Sequence, residues 1–146
     1  MPALTQVACP SCGTGNRIAA GRDPLAAKCG QCGAQLIEGA PIDVDDEAFA
    51  KHLANTKGLV VVDVWAPWCG PCRMMAPHFA DAAQRLAGKA VFLKMNADLC
   101  QSPVRLGVRG IPALFLFEDG KKIAHQAGLM TADGLTQWIQ TARRTP

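Results

Sequence analysis

Leu59-Val60-Val61-Val62-Asp63-Val64-Trp65, then Ala66-Pro67, then Trp68-Cys69-Gly70-Pro71-Cys72, is the stretch on which the fold turns. Its first seven residues form a β-branched run broken by a single carboxylate. The run is too continuous for a strand with one wet face and predicts a central strand covered on both sides. A turn holding Pro67 and the cysteine pair closes it. A helix is expected from near Cys72 to about Leu86, kinked at Pro77.

Outward from this unit, strand and helix patterns alternate. Residues 42–44 predict a short edge strand, and Asp45 an N-cap for a helix to about Asn55, which Lys57-Gly58 ends. Residues 90–95 read as the next strand and 101–106 as a short helix. Residues 113–117 read as a strand that turns at Glu118-Asp119-Gly120 into a paired strand over 121–127. Thr131 caps a last helix to about Ala142, with Leu135, Trp138, Ile139 and Ala142 on one face. This order implies an α/β fold, a mixed central sheet flanked by helices.

The chain has 146 residues, and 49% are apolar, enough to bury a real core. A formal charge of +3, spread along the chain, is too mild to argue for nucleic acid. Arg143 and Arg144 read as a solvated helix end. Neither a secretory leader nor an apolar stretch near the ~20 residues that span a bilayer is visible. The expectation is a soluble cytoplasmic monomer with no membrane or nucleic-acid partner. Seven cysteines in a reducing compartment point to metal binding or catalysis rather than structural disulfides.

Four of the seven read C-x2-C-x16-C-x2-C: Cys9, Cys12, Cys29 and Cys32. Two residues between cysteines let both sulfurs of a pair face one ion, and two pairs complete a closed tetrahedral zinc site. Gly13 and Gly33 follow the second cysteine of each pair and suit a tight knuckle. The surrounding stretch is poor in large apolar residues and needs such a staple. Residues 1–38 are therefore expected to form a zinc-ribbon-like module with one structural zinc, and 39–146 a second domain. The alternative is four free or disulfide-bonded cysteines.

Cys69 and Cys72 follow a buried strand and open a helix. A sulfur at a helix N-terminus meets unpaired amides and the positive end of the dipole, so its thiolate is favoured. Cys69 is then the nucleophile and Cys72, one turn deeper, the resolving thiol. Pro71 is tolerated in the first turn. A second metal site and a purely structural disulfide remain open alternatives here. Asp63 is expensive to bury unpaired, so its pKa is expected to rise. Trp68 borders Cys69 and is expected on the docking surface, while Trp65 is expected in the core. Met74 and Met75 are expected in the helix core. Cys100 is expected before or at a helix start as a bystander thiol, and His52, His78 and His125 at the surface.

Residues 62–72 with Pro77 resemble the active-site signature of the thioredoxin family. Arg109-Gly110-Ile111-Pro112, with Phe115, Phe117 and Gly120, resembles its second signature, and Gly128 matches a third. Together with the four-cysteine extension the chain is similar to the zinc-containing thioredoxin-2 type of bacteria. The resemblance implies the thioredoxin fold for 39–146 and protein-disulfide reduction without an organic cofactor. It implies that Asp63 lies beneath Cys72 as its general base, with Lys94 tuning that carboxylate. Pro112 would be cis opposite the cysteines, and the Ile111 backbone would pair with an extended substrate. Gly70, Gly110 and Gly128 would keep the groove flat. Oxidised substrate proteins and an NADPH-dependent thioredoxin reductase are the implied partners. Ala113 departs from the threonine common in the family. The competing reading is a client-binding or redox-sensing module whose zinc thiolates respond to oxidation.

Overall fold

A computed structural model describes residues 1–144. A small antiparallel hairpin comes first, β1 (Gln6–Ala8) with β2 (Gly15–Arg17), followed by a 3-10 turn at Pro24–Ala26. Then come β3 (Ile42–Asp43), α1 (Asp46–Asn55), β4 (Leu59–Trp65), α2 (Gly70–Arg85), β5 (Ala90–Asn96) and α3 (Ser102–Arg105). The chain closes with β6 (Ala113–Glu118), β7 (Lys121–Ala127) and α4 (Ala132–Arg144).

The main sheet runs β3-β5-β4-β6-β7. β3 and β4 lie parallel to β5, whereas β6 is antiparallel to both β4 and β7. The expected mixed sheet is present, and β4 lies at its centre. Alternation along β4 divides the core into two layers. Val60, Val62 and Val64 share one buried cluster with Phe49 of α1. Leu59 and Val61 face Met75 and Phe79 of α2 and Leu135 and Ile139 of α4. Edge-to-face aromatic pairs, Phe49–Phe117 and Phe79–Phe92, fill one layer each at 5.8 and 5.1 Å.

The cysteine-rich quarter is docked on this sheet. Leu4, Val7, Leu36 and Ile37 belong to the same buried cluster as Val60 and Val62. Backbone bonds fasten it: Lys57 N–H donates to the Gln6 carbonyl at 2.8 Å, and Leu4 N–H to that of Gly88 at 2.9 Å. At the end of α1, Thr56 Oγ1 accepts from the Ala8 amide at 3.2 Å, and Asn55 Nδ2 donates to the Gly13 carbonyl at 2.8 Å.

Some expectations need correction. α2 begins at Gly70, two residues before the expected start near Cys72, with Cys69 at its N-terminus as the redox reading required. His52 is buried at 2% exposure, since it extends the inner stripe of α1 beyond Phe49. His78 is half-buried and accepts the Ala132 amide at 3.2 Å, while His125 is exposed as expected. Met75 lies in the core, but Met74 is exposed. Cys100 sits in the loop before α3 and is itself buried, its thiol 3.8 Å from the Val44 carbonyl. Arg143 meets Glu118 at 3.6 Å, so it is not merely a solvated end.

Candidate active site and metal centre

Cys69 occupies the N-cap of α2 in extended conformation, and its sulfur accepts the Cys72 amide at 3.2 Å. That bond uses one of the amides a helix leaves unpaired at its start. Pro71 stands in the first turn. Cys69 and Cys72 are joined as a disulfide, so the structure shows the oxidised form. The two half-cystines are 5% and 2% exposed, in the expected order of depth. Cys69 is more enclosed than a freely accessible nucleophile would be. Ala66 is buried with the two cysteines, and Trp65 and Ile111 pack against them.

The Ile111–Pro112 bond is cis, as the resemblance implied. Cys69 Sγ lies 3.8 Å from the Ile111 carbonyl, which brings that loop against the cysteine pair. The Gly128 amide donates to the Pro112 carbonyl at 2.9 Å, tying the end of β7 to the same loop. Gly70, Gly110 and Gly128 are each open where a Cβ would stand, so a small residue leaves the surface clear. Trp68 is 69% exposed, with its indole N–H on both oxygens of Asp98 at 3.0–3.1 Å. Asp98 has no sequence signal beyond its place in a polar loop after β5.

Asp63 is 1% exposed, and neither carboxylate oxygen has a hydrogen-bond partner among the described residues. Burial pushes its pKa up to about 7, and the Lys94 charge pulls part of that back. Lys94 stands in register with Asp63 on the neighbouring parallel strand. Its ammonium lies 4.4 Å from the Trp65 ring centroid.

At the other site, the sulfurs of Cys9, Cys12, Cys29 and Cys32 all lie within 4.8 Å of one another. Two matching knuckles place them. Gly13 N–H donates to the Cys9 carbonyl and Gly33 N–H to that of Cys29, both at 2.9 Å. Both glycines have φ near +80°, which only glycine adopts freely. Amides of Ser11 and Gln31 point at Cys9 and Cys29 sulfurs at 3.4 Å. The Cys32 amide above all, and the Asn16 side chain, help draw the Cys29 thiol down to about 6. Four close sulfurs served by amide donors suit a soft divalent cation held as thiolates.

A family model described as thioredoxin matches residues 40–141. Thioredoxin C-3 of Corynebacterium nephridii is 34% identical over 134 residues, 91% of this chain and 92% of its own length. The thioredoxins of Haemophilus influenzae and Pseudomonas aeruginosa are 38% and 39% identical over 99 residues, 67% of this chain and 92% of theirs. The solved structure of a mutant thioredoxin from Halobacterium salinarum overlays with a TM-score of 0.65 at 29% identity. It covers 74% of this chain and 95% of its own.

Proposed function

Because this chain belongs to the thioredoxin family, and is a thiol–disulfide oxidoreductase, we propose that its Cys-Gly-Pro-Cys segment reduces disulfides in substrate proteins. The observation that carries the reading is Cys69 as the cap of α2, its sulfur on the Cys72 amide and beside the Ile111 carbonyl.

In the dithiol form, the Cys69 thiolate attacks one sulfur of the substrate disulfide. The substrate S–S bond breaks, a mixed disulfide forms on Cys69, and the first substrate sulfur leaves as a thiolate that takes a proton from water. Cys72 gives its proton to the Asp63 carboxylate and attacks Cys69 Sγ. The second substrate sulfur leaves as a thiolate that takes a proton from water, Asp63 gives its proton back to solvent, and two electrons have passed to the substrate. A base is best matched when its pKa lies near the working pH, and about 7 for Asp63 meets that condition. Lys94 holds that value from rising further. Trp68, Gly70, Pro71, Ile111, Pro112 and Gly128 form the substrate groove, the Ile111 backbone pairing with an extended segment. The resulting disulfide is reset by a thioredoxin reductase drawing on NADPH, in the cytoplasm, with no organic cofactor on this chain.

Residues 1–38 act as a zinc-ribbon-like module holding one structural zinc through Cys9, Cys12, Cys29 and Cys32, and 39–146 as the thioredoxin domain. The last two of these lie outside the described residues. The four-cysteine cluster ahead of the thioredoxin match supports the zinc-containing thioredoxin-2 type. The chain acts as a monomer.

Reductase-coupled insulin reduction tests the activity. Cys69→Ser abolishes turnover, whereas Cys72→Ser accumulates mixed disulfides on Cys69. Trapping on Cys72 instead would reverse the roles. Metal analysis of purified protein should return about one zinc per chain, and none would end the ribbon assignment.

A further inference from the structure

A groove of about 420 Å³ lies between the loop 106–110 and the edge strand β7. Arg109, Lys122 and His125 line it, and no acidic residue does. Neither Arg109 nor Lys122 has an acidic partner among the described residues; the ion pairs formed use Lys51, Arg85 and Arg143. The groove is aromatic within. The His125 ring stacks on Phe115 at 6.0 Å, and the Lys122 ammonium is 5.9 Å from the same ring.

Its position gives this charge a use. Gly110 and Ala127 line one end of the groove. Gly110 precedes Ile111, whose carbonyl faces Cys69, and Ala127 precedes Gly128, which is bonded to Pro112. The groove thus begins where the candidate substrate loop ends. Along β7, His125 is two residues and Lys122 five residues from Ala127, or about 7 and 17 Å at the rise of a strand. Unpaired cations with an N–H donor over an aromatic surface fit carboxylates, and a net charge of only +3 gives no support for a polyanion.

We infer that this groove selects among substrates, seating an acidic stretch of the segment that flanks the cysteine Cys69 attacks. The inference rests on the reductase reading above and names its substrate class. Arg109 and Lys122 are specificity residues that leave the sulfur chemistry untouched.

The test uses the full-length dithiol protein and three disulfide-bonded peptides that differ only in carrying Glu, Gln or Lys in that flanking segment. Reduction rates are measured at low and at about 0.5 M salt. The expected order is Glu over Gln over Lys, with about fivefold in kcat/KM between the first two at low salt and little at high salt. Arg109→Gln with Lys122→Gln removes the preference while the Gln peptide is reduced at its original rate. The charge-matched control Lys51→Gln with Lys89→Gln keeps the preference. Equal rates for all three peptides, or a preference that survives in the Arg109/Lys122 variant, overturn the inference and leave the reductase reading intact. Reduction of none of them removes the reductase reading itself.

Discussion

Asp63 stands in β4 between Val62 and Val64 with both oxygens unbonded among the described residues, and burial is what moves its proton. The unfolded chain releases that proton near 3.8 and the folded chain only near 7. Between those values the folded state binds more protons, so stability falls as pH rises through the window. Asp63→Asn removes the charge at constant shape. The oxidised variant should be more stable than the parent at pH 8, by up to about 4 kcal/mol if the full shift of about three pKa units counts, and nearly equal to it at pH 4. Urea denaturation at the two pH values checks this, and a pH-independent difference would contradict it. Lys94→Gln should move the Asp63 midpoint upward, because the charge that lowers it is gone; carboxyl NMR titration reads the shift. The strain on Asp63 was legible in the sequence because its neighbours in the chain are apolar. The partnership with Lys94 depends on which strand lies beside β4, so the apolar pattern did not carry it and only the family resemblance implied it. His52 was missed for a like reason. It lines the seam with Cys9, Cys12 and Gly13, so a segment forty residues away helps bury it and pulls its pKa down to about 4.

Among the elements, the long ones were readable, and β3 and α3 were too to within a residue at each end, whereas the β1–β2 hairpin was not. The run in β4 and the caps of α1 and α4 are local signals, and they fall where expected. β3 shrinks to two residues and α3 to one turn because their lengths follow from neighbours. Asp46 shows the dependence: its carboxylate accepts the amides of Gln101 and Ser102 at 2.8–3.1 Å, fixing the approach to α3 from α1. Those amides, Gln101 first, hold its pKa below the ordinary value. The junction of α1 with β1 is equally specific. Thr56 is 1% exposed, and its hydroxyl accepts the buried Ala8 amide. Thr56→Val keeps the volume and strands that amide, for an expected loss of about 1–3 kcal/mol. Hydrogen exchange should quicken first at the amides of β1, and unchanged protection there would deny Thr56 this role.

The whole molecule has a core shared between the cysteine-rich quarter and the sheet. Composition marked the first quarter as too poor in large apolar residues to hold itself together by burial alone, and its apolar side chains join the cluster on the sheet. Where Leu4 and Val7 would go was not legible, because burial against Val60 and Val62 is a contact across more than fifty residues. If the four sulfurs hold the proposed zinc, removing it should therefore loosen more than the segment that binds it. With a strong chelator the full chain is expected to lose at least about 5 °C in Tm, in one transition. Insulin reduction at 20 °C should stay within about twofold. Two separated transitions, with the upper one unmoved, would show the quarter to be an independent appendage. The same arrangement orders events on the ribosome. At about 5–20 residues per second, Leu4 waits roughly 3–11 s for Val60 to be made. The four sulfurs at 9–32 are complete well before that, so capture of the proposed zinc would close the first turns of the nascent chain while its apolar side chains still lack their strand.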